Sequence, residues 1–263
     1  MLNLDMRAER ENQMFASSLA NGLSLLSVFT AEEPGLTNAL LAQRTGLSRA
    51  TVTRLTFTLC ELGLLGYDAA ARQYRIGSGS VSLAYPFLVH LRLQHVALPL
   101  MQTFAKSNRT TVSLAMRSGL FMVYVDSFRT FDGMQFKPDA GASLPLLRTA
   151  AGRAWFAALP GPDRALAMRE LRKQKPTEWR RHAAALREGI ASCEAYGYCV
   201  NKGAVHDDMH AVAVPLRAET NAGVVVLNAG LPTELARPGA LDRVGERLVS
   251  LGHRIDAAWL INA

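Results

Sequence analysis

Apolar residues recur every three or four positions in the first sixty residues, the spacing of amphipathic helices with one apolar face. This spacing predicts a helix over 15–31, ended by Pro34 and Gly35, and a second helix that begins at Thr37. The apolar stripe of the first helix is predicted at Phe15, Leu19, Leu23, Leu26 and Thr30. A third helix is predicted from Arg49 to Gly63, because its apolar positions share one face and leave arginine and threonine on the other.

Later segments mix strand and helix patterns. Alternating residues over 64–76 predict a small hairpin, and 80–106 predict helix that is interrupted near Pro86 and Pro99. The second half predicts strands over 110–116, 121–127, 210–216 and 223–230, with helices near 149–159, 163–173, 179–196 and 238–260. The link between the first two of these strands is too short for a parallel crossover, so we expect a mainly antiparallel or mixed sheet.

The segment Leu41 to Leu55 meets the requirements of a helix-turn-helix, in which two helices cross closely. Ala42 is small where the helices would touch, and Gly46 can adopt the positive φ of a tight turn. Ser48 is predicted to cap the third helix, so that unpaired N–H groups point outward from its first turn. Such a helix end suits contact with a phosphate.

In this arrangement the third helix lies in a DNA major groove and the hairpin acts as a wing. Arginine can bind guanine through two hydrogen bonds, and hydroxyl and amide side chains can reach bases or phosphates. The predicted DNA-contacting residues are Gln43, Arg44, Ser48, Arg49, Thr51, Thr53, Arg54, Arg72 and Arg75. The alternative is a structural three-helix unit with incidental arginines, but the order of turn, cap and wing favours DNA binding.

Composition and charge narrow the class of protein. Of the 263 residues, 49% are hydrophobic and 19% are charged, which excludes a disordered protein and a coiled coil. The net charge of +7 permits a polyanionic partner, and within 36–77 five arginines accompany only Glu61 and Asp68. Three cysteines without a C-x-x-C pair argue against a disulfide scaffold and fit a reducing cytoplasm. Neither secretion nor a membrane span is expected from the apolar runs.

The sequence offers little for catalysis or metal binding. It contains no nucleophile elbow, phosphate-binding loop or zinc-protease helix motif, so we assign no catalytic residue and expect a protein that is not an enzyme. His206 and His210 stand four apart, but they precede a predicted strand, so we expect neither a metal nor a cofactor.

Several runs of sequence resemble a known family. The runs LANGLSLLSVF, LTNALLAQRTGLSRATVTRLTFTLCELGLL and YRIGSGSVSLAY are similar to the DNA-binding half of the isocitrate-lyase-regulator (IclR) family of bacterial transcription factors. SLPLLRTAAGRAWFAALP, YGYCVNKGAVHDDMHAVAVPLR and GVVVLNAGLP resemble its second half, so the resemblance covers about 15–260. LPLLRTAAG and AVAVPLR also resemble members that control degradation of hydroxyphenylpropionate and related aromatic acids.

The resemblance implies an α+β protein with an N-terminal tail over 1–14 and a winged helix-turn-helix over 15–78. A linker helix over 79–93 would join it to a GAF-like or profilin-like α/β effector domain over 94–263 with a mainly antiparallel sheet. The family implies a cytoplasmic regulator that binds double-stranded operator DNA and a small organic acid. It also implies a homodimer or a dimer of dimers, formed partly through the first helix.

The ligand-contacting positions of the family correspond here to Ala150, Ala151, Asn201, Ala211, Asn228 and Gly230. For members that bind small keto acids, the resemblance implies Asp, Cys, Ser and Ser at the last four of these positions. The loss of a thiol and a hydroxymethyl group enlarges the expected cavity, which favours an aromatic acid over a glyoxylate-like ligand.

Two further residues are candidates for contact with the effector. Arg148 could pair with the carboxylate through two hydrogen bonds, the alternative being a surface arginine at a helix N-terminus. His210 could donate to a phenol or a carboxylate, the alternative being an ordinary histidine at the end of a strand.

Two classes of function are open at this point. The first is a ligand-responsive regulator that senses an aromatic acid and controls a catabolic operon. The second is a small-molecule-binding protein or an enzyme whose winged helix serves only protein contacts. Only the first requires a large preference for one DNA sequence over random DNA at physiological salt.

Overall fold

The computed structural model describes residues 14–130, 139–218, 220 and 223–262. The predicted N-terminal tail therefore lies outside the described residues, apart from Met14. The chain forms two compact units, one ending at His90 and one beginning at Leu91. Each unit has its own hydrophobic core, and each is described by itself below.

The helices of the first unit are α1 (Ser17–Leu26), α2 (Asn38–Thr45), α3 (Arg49–Glu61) and α4 (Gly79–His90). The prediction of a helix over 15–31 was too long, and its apolar stripe was misplaced. Leu19, assigned to the buried face, is 64% exposed, whereas Leu25 is fully buried. The spacing alone gave the right kind of element, but packing against α2 and α3 decides which of its leucines face inward.

A three-stranded antiparallel sheet completes the first unit, with strands β1 (Gly35–Leu36), β2 (Leu65–Asp68) and β3 (Gln73–Ile76) in the order β1-β3-β2. The hairpin formed by β2 and β3 confirms the predicted wing. Strand β1 was missed, because a pair of residues is too short to show alternation and Gly35 had been assigned to a turn. Leu36 of β1 is fully buried, beside Leu41 of α2 and Val52 of α3.

The second unit is built on a six-stranded sheet with the order β6-β5-β4-β9-β8-β7, in which every neighbouring pair is antiparallel. Its strands are β4 (Thr111–Ser118), β5 (Phe121–Phe128), β6 (Ser143–Pro145), β7 (Cys199–Lys202), β8 (Met209–Pro215) and β9 (Val225–Pro232). The four predicted strands are confirmed with small shifts at their ends. Strands β6 and β7 were missed, since both are edge strands of four residues or fewer.

Helices cover both faces of this sheet. They are α5 (Leu93–Asn108), α6 (Ala150–Ala158), α7 (Gly161–Gln174), α8 (Pro176–Tyr196) and α9 (Ala240–Asn262). Short 3₁₀ turns at Leu146–Arg148 and Thr233–Leu235 precede α6 and α9. Among the described residues, no helix is both long enough and apolar enough to cross a membrane.

Strand alternation divides the second unit into two apolar clusters. Val212 and Leu227 pack on the face that carries α5 and α9. Ala213 and Val226, one residue along each strand, pack on the opposite face with α6, α7 and α8. Because successive side chains in a strand point to opposite faces, this split assigns every residue of β8 and β9 to one face. The whole chain is an α+β protein, as expected.

The start of α6 is held close to the 3₁₀ turn before it. Thr149 accepts a hydrogen bond from the Gly152 N–H at 2.9 Å through its hydroxyl, which caps the helix. A Cβ on Gly152 would overlap the carbonyl oxygen of Leu146. Only glycine therefore permits this close approach of two backbone segments.

We expect Gly152→Ala to lower the free energy of unfolding of the second unit by about 3 kcal/mol, because the added methyl group forces the backbone apart. Urea unfolding followed by tryptophan fluorescence measures this, since Trp155, Trp179 and Trp259 all lie in the second unit. Gly161→Ala is the matched control, because none of the described atoms lies within 4 Å of the added Cβ. Equal stability of the two variants would contradict the role given to Gly152.

Candidate functional site

The predicted turn and cap of the helix-turn-helix are both present. Gly46 ends α2 with a φ of 70°, the left-handed conformation that the tight turn requires. The Ser48 hydroxyl accepts a hydrogen bond from the Thr51 N–H at 3.1 Å and caps α3. The first turn of α3 is thereby fixed on the surface of the first unit, with Arg49 exposed at its start.

The polar residues of α3 form an exposed surface. Arg49 and Arg54 are exposed, and neither forms an ion pair with any described residue. The Ser48 and Thr51 hydroxyls lie 2.8 Å apart and hydrogen-bond to each other. Gln43 of α2 is exposed as well. Arg49 and Arg54 are thus positive charges of this surface that no described carboxylate balances.

Asn38 at the start of α2 also belongs to this surface and was missed from the sequence. Its amide Nδ2 donates to the Thr53 hydroxyl at 3.0 Å, and that hydroxyl donates to the Arg49 carbonyl at 2.9 Å. The Thr53 hydroxyl is therefore occupied by two contacts within the unit. A possible signal was that Asn38 directly follows the N-cap Thr37, which places it on the first turn of α2.

Arg44 differs from the arginines of α3 because it is tied down within the unit. Its Nη2 lies 2.6 Å from a carboxylate oxygen of Glu33, and its Nη1 donates to the Val28 carbonyl at 3.5 Å. The sequence predicted Arg44 as a contact near the DNA backbone. In the structure its charge is balanced, so a phosphate would have to replace Glu33.

The wing carries one paired and one unpaired arginine. Arg75 lies 3.0 Å from a carboxylate oxygen of Asp68 across the hairpin. The Ala71 N–H, which donates to Asp68, and the nearby Arg75 together hold the pKa of that carboxyl below its usual value. Arg72, with a φ of 53°, lies exposed in the turn of the hairpin. It forms no ion pair with any residue that the structure describes.

A small cavity lies in the second unit on the sheet face that carries α6. Its volume is about 30 Å³. The residues that line it are Tyr124, Leu144, Thr149, Ala150, Asn201, Val205, His206, Met209, Ala211, Asn228 and Gly230. Five of the predicted effector-binding residues therefore meet at one cavity, namely Ala150, Asn201, Ala211, Asn228 and Gly230.

Arg148 does not line the cavity. Its Nε and Nη2 both donate to the Ala204 carbonyl, at 3.0 and 2.6 Å. The guanidinium therefore uses the two-pronged geometry expected for a carboxylate on the backbone of the segment that follows β7. Ala151 is fully buried and is not one of the lining residues.

Asn201 holds the same segment in place. Its Nδ2 donates to the Arg148 carbonyl at 2.6 Å, and its Oδ1 accepts from the Ala204 N–H at 3.2 Å. Both ends of its amide are therefore used within the protein. In this structure Asn201 joins the 3₁₀ turn before α6 to the segment after β7, in addition to lining the cavity.

His210 was placed wrongly. Along β8, Ala211 and Ala213 pack on the α6 face, and Val212 packs on the face of α5 and α9. His210 is directly paired with Leu231 of β9, which belongs to the α5 and α9 cluster. Since neighbours in a strand alternate, His210 lies on the side of the sheet opposite the cavity.

Tyr124 is a cavity residue that sequence reasoning missed. Its hydroxyl accepts a hydrogen bond from Asn228 Nδ2 at 3.3 Å, and burial raises the pKa of the phenol above its usual value. A signal did exist, because alternation along β5 puts Tyr124 on the same face as the buried Met122. Tyr124 therefore stays neutral, and its O–H can donate a hydrogen bond to a bound group.

The start of α6 lies at the cavity, because Thr149 and Ala150 both line it. Ala150 and Ala151 are the first two residues of the helix, so their N–H groups have no acceptor within it. Both residues are buried. Buried backbone donors at a helix N-terminus favour an anion, because the helix dipole adds to the hydrogen bonds.

Comparison with known families decides the identity of this architecture. The model of the IclR helix-turn-helix domain matches residues 18–69. The model of the bacterial transcriptional regulator IclR C-terminal domain matches residues 86–257. The chain belongs to the IclR family. It is an IclR-type transcriptional regulator, and this family consists of DNA-binding regulators with an effector domain and not of enzymes.

The similarity to other transcriptional regulators extends over most of this chain. The HTH-type transcriptional regulator TsaQ1/TsaQ2 of Comamonas testosteroni is 34% identical over 199 residues, which are 75% of this chain and 71% of that protein. An IclR family transcriptional regulator from Brucella abortus is similar in structure, with a TM-score of 0.77, 37% identity and coverage of 98% of both chains.

A third relative shares the fold at lower identity. It is an IclR homologue from Microbacterium hydrocarbonoxydans, solved in complex with 4-hydroxybenzoate. The TM-score is 0.69 at 21% identity, and the similarity covers 91% of this chain and 99% of that one.

Proposed function

We propose that this IclR regulator binds a specific operator through α3 and its wing, and that a small aromatic carboxylic acid bound in the α6 cavity controls that binding. The regulator would then control an operon that encodes the catabolism of such acids. The observation that carries the DNA part is the pair of exposed arginines on α3, Arg49 and Arg54, which have no carboxylate partner among the described residues.

Uncompensated arginines on a recognition helix are well suited to DNA. Arginine can make two hydrogen bonds to the edge of a guanine, which specifies sequence, or it can release counterions by binding phosphate. The Ser48 cap fixes the first turn of α3, where Arg49 lies, and the exposed position of Arg72 in the turn of the hairpin supports a contact with a neighbouring phosphate. A winged helix that serves only protein contacts would not need these charges unpaired.

The Arg54→Ala variant tests the DNA part of the proposal. We expect it to weaken binding to an operator selected from random DNA by about 5- to 100-fold, because one base or phosphate contact is lost. Fluorescence anisotropy at physiological salt gives the affinity. Arg169→Ala is the matched control, since Arg169 is an exposed arginine of α7 in the second unit. Equal affinity of wild type and Arg54→Ala, or binding without sequence preference, would favour the protein-contact alternative.

The cavity supports an aromatic acid on chemical grounds. Backbone N–H groups of Ala150 and Ala151 offer a place for a carboxylate, and the Tyr124 and Asn228 pair offers a polar contact elsewhere in the cavity. Ala211 and Gly230 themselves contribute little side-chain volume at the sheet side of the cavity, which favours a flat ring there. The 4-hydroxybenzoate complex of the Microbacterium relative is consistent with this ligand class.

Because the proposed anchor recognises charge, an acid and its neutral amide should behave differently. We expect 4-hydroxybenzoate or 3-(4-hydroxyphenyl)propionate to raise the melting temperature, whereas the corresponding amide has little effect. A thermal-shift series at equal concentrations of acid and amide checks this, with glyoxylate and pyruvate as further comparisons. Stabilisation by the keto acids alone would rule out the aromatic ligand class, and equal effects of acid and amide would remove the carboxylate anchor.

Two apolar surfaces of the first unit support assembly into a dimer. Five large apolar side chains of α4 are between 43% and 67% exposed: Val81, Leu83, Tyr85, Phe87 and Val89. A second surface is an apolar groove between α1 and α3, near the exposed Leu19 and Phe57. Exposed apolar patches of this kind mark sites of contact with another protein, here a second copy of the chain. The resulting dimer would present two recognition helices to a pseudo-palindromic operator.

A charge placed on α4 should therefore disrupt the dimer. We expect Leu83→Asp to raise the dimer dissociation constant at least tenfold, because a carboxylate would be buried without a partner. Sedimentation velocity over a range of concentrations measures the dissociation constant. Ser82→Asp adds the same charge to the neighbouring exposed residue and serves as the control. Two variants that dimerise like the wild type would exclude α4 from the interface.

A further inference from the structure

The cavity beside α6 has too little space for the ring of an aromatic ligand. Its volume of about 30 Å³ is close to the share of one water molecule in the liquid, whereas a cavity that takes up benzene measures on the order of 150 Å³. Some side chain must therefore leave before a ring can enter. The identity of that side chain follows from the contacts of Gly230, and the argument rests on the proposed ligand class.

Met209 fills the space above Gly230. Its Cε lies 2.9 Å, and its Sδ 3.6 Å, from the point where a Cβ on residue 230 would stand. Gly230 therefore leaves room for the end of the Met209 side chain. An alanine at 230 would compete with that methyl group for the same position.

The backbone around Met209 is fixed, so the side chain is the part that can move. Met209 is paired with Pro232 at the start of β8, and its N–H donates to the His206 carbonyl at 3.2 Å. Thr233 holds the two residues that precede Met209. Its N–H donates to the Asp208 carbonyl and its hydroxyl to the Asp207 carbonyl, both at 2.9 Å. Methionine is unbranched, with three rotatable side-chain bonds, and adapts easily to a new shape.

A buried threonine lies near the same point as the Met209 methyl group. Thr111 of β4 is directly paired with Gly230, and its Cβ is 3.8 Å from the same reference point. Thr111 is only 1% exposed, and its hydroxyl has no hydrogen-bond partner in the described part of the protein. Such a group is unfavourable and calls for a partner, which an apolar thioether does not supply.

We propose that Met209 occupies the place of the ligand ring, and that its displacement exposes the Thr111 hydroxyl as the residue that selects a ring with a hydrogen-bonding substituent. The displacement of Met209 then adds a free-energy cost to ligand entry. The Thr111 hydroxyl raises the affinity only of rings that can form a hydrogen bond with it. This assigns specificity to two residues that lie outside the helix-end anchor for the carboxylate. The cavity would admit apolar rings as well, but with lower affinity.

Phenol and toluene test the proposal, because they have nearly the same shape and differ in one hydroxyl. We expect Met209→Ala to bind both at least tenfold more tightly than wild type, since the ring space is open. Thr111→Val, added to Met209→Ala, should lower phenol affinity about 3- to 10-fold and leave toluene affinity unchanged. Calorimetric titration of the full chain gives all of these values.

Thr110→Val in the same Met209→Ala background is the matched control. Thr110 is also fully buried, and its hydroxyl has no hydrogen-bond partner among the described residues, but it precedes β4 and is not the residue paired with Gly230. Its substitution should change neither affinity. If Met209→Ala does not fold, Met209→Leu is the alternative variant, because leucine keeps most of the side-chain volume but is too short to reach the position of the Met209 methyl group. We expect a smaller gain in ring affinity for this variant.

Each result decides one of the two proposals. No gain of ring binding in the folded Met209 variants would overturn the role of Met209, and an equal change for phenol and toluene on Thr111→Val would overturn that of Thr111. Neither probe carries a carboxylate. Failure of the aromatic acids in the thermal-shift series would therefore count against the proposed effector class, while ring binding by Met209→Ala would still support this inference.

Discussion

The sheet of the second unit is buried on both faces, and this constraint determines which residues can meet a ligand. Val212 and Val214 pack against α5 and α9, so Ala211 and Ala213 must face α6. A shift of one residue in the pairing of β8 with β9 would exchange the two sets and put valines where the cavity is. The chemistry of the cavity therefore depends on strand register before it depends on any single side chain.

Backbone clamps around the cavity leave its side chains to adapt. Thr149 caps α6, Gly152 allows the helix to approach the Leu146 carbonyl, and Asn201 joins the segment after β7 to the turn before α6. Each contact involves backbone atoms, so α6 and its N–H groups hold a fixed position. A ligand that needs room must then gain it from a flexible side chain, and Met209 is unbranched and stands on a fixed strand.

Local signals in the sequence were sufficient for the turn and the cap of the helix-turn-helix and insufficient for the cavity. Gly46 and Ser48 act on residues within a few positions, so the turn and the cap of α3 follow from the sequence alone. His210 was misplaced because its face depends on pairing with Leu231. Arg148 has a long side chain, and its acceptor, the Ala204 carbonyl, lies in a distant part of the sequence. No spacing rule predicts such contacts, and the assignment of individual DNA-contacting residues stays a prediction.

Charge balance separates the arginines of the first unit more sharply than the net charge does. Arg44 and Arg75 have carboxylates within 2.6 and 3.0 Å, so a DNA phosphate would only replace a partner that each already has. Exposed ion pairs contribute little stability, and their exchange for phosphate therefore changes the binding free energy little. Arg49 and Arg54 have no such partner among the described residues, so phosphate or guanine would be a net gain for them. From the sequence, these four arginines were predicted alike as DNA contacts. The ion pairs in the structure distinguish them, because only the two on α3 keep a positive charge that no described carboxylate balances.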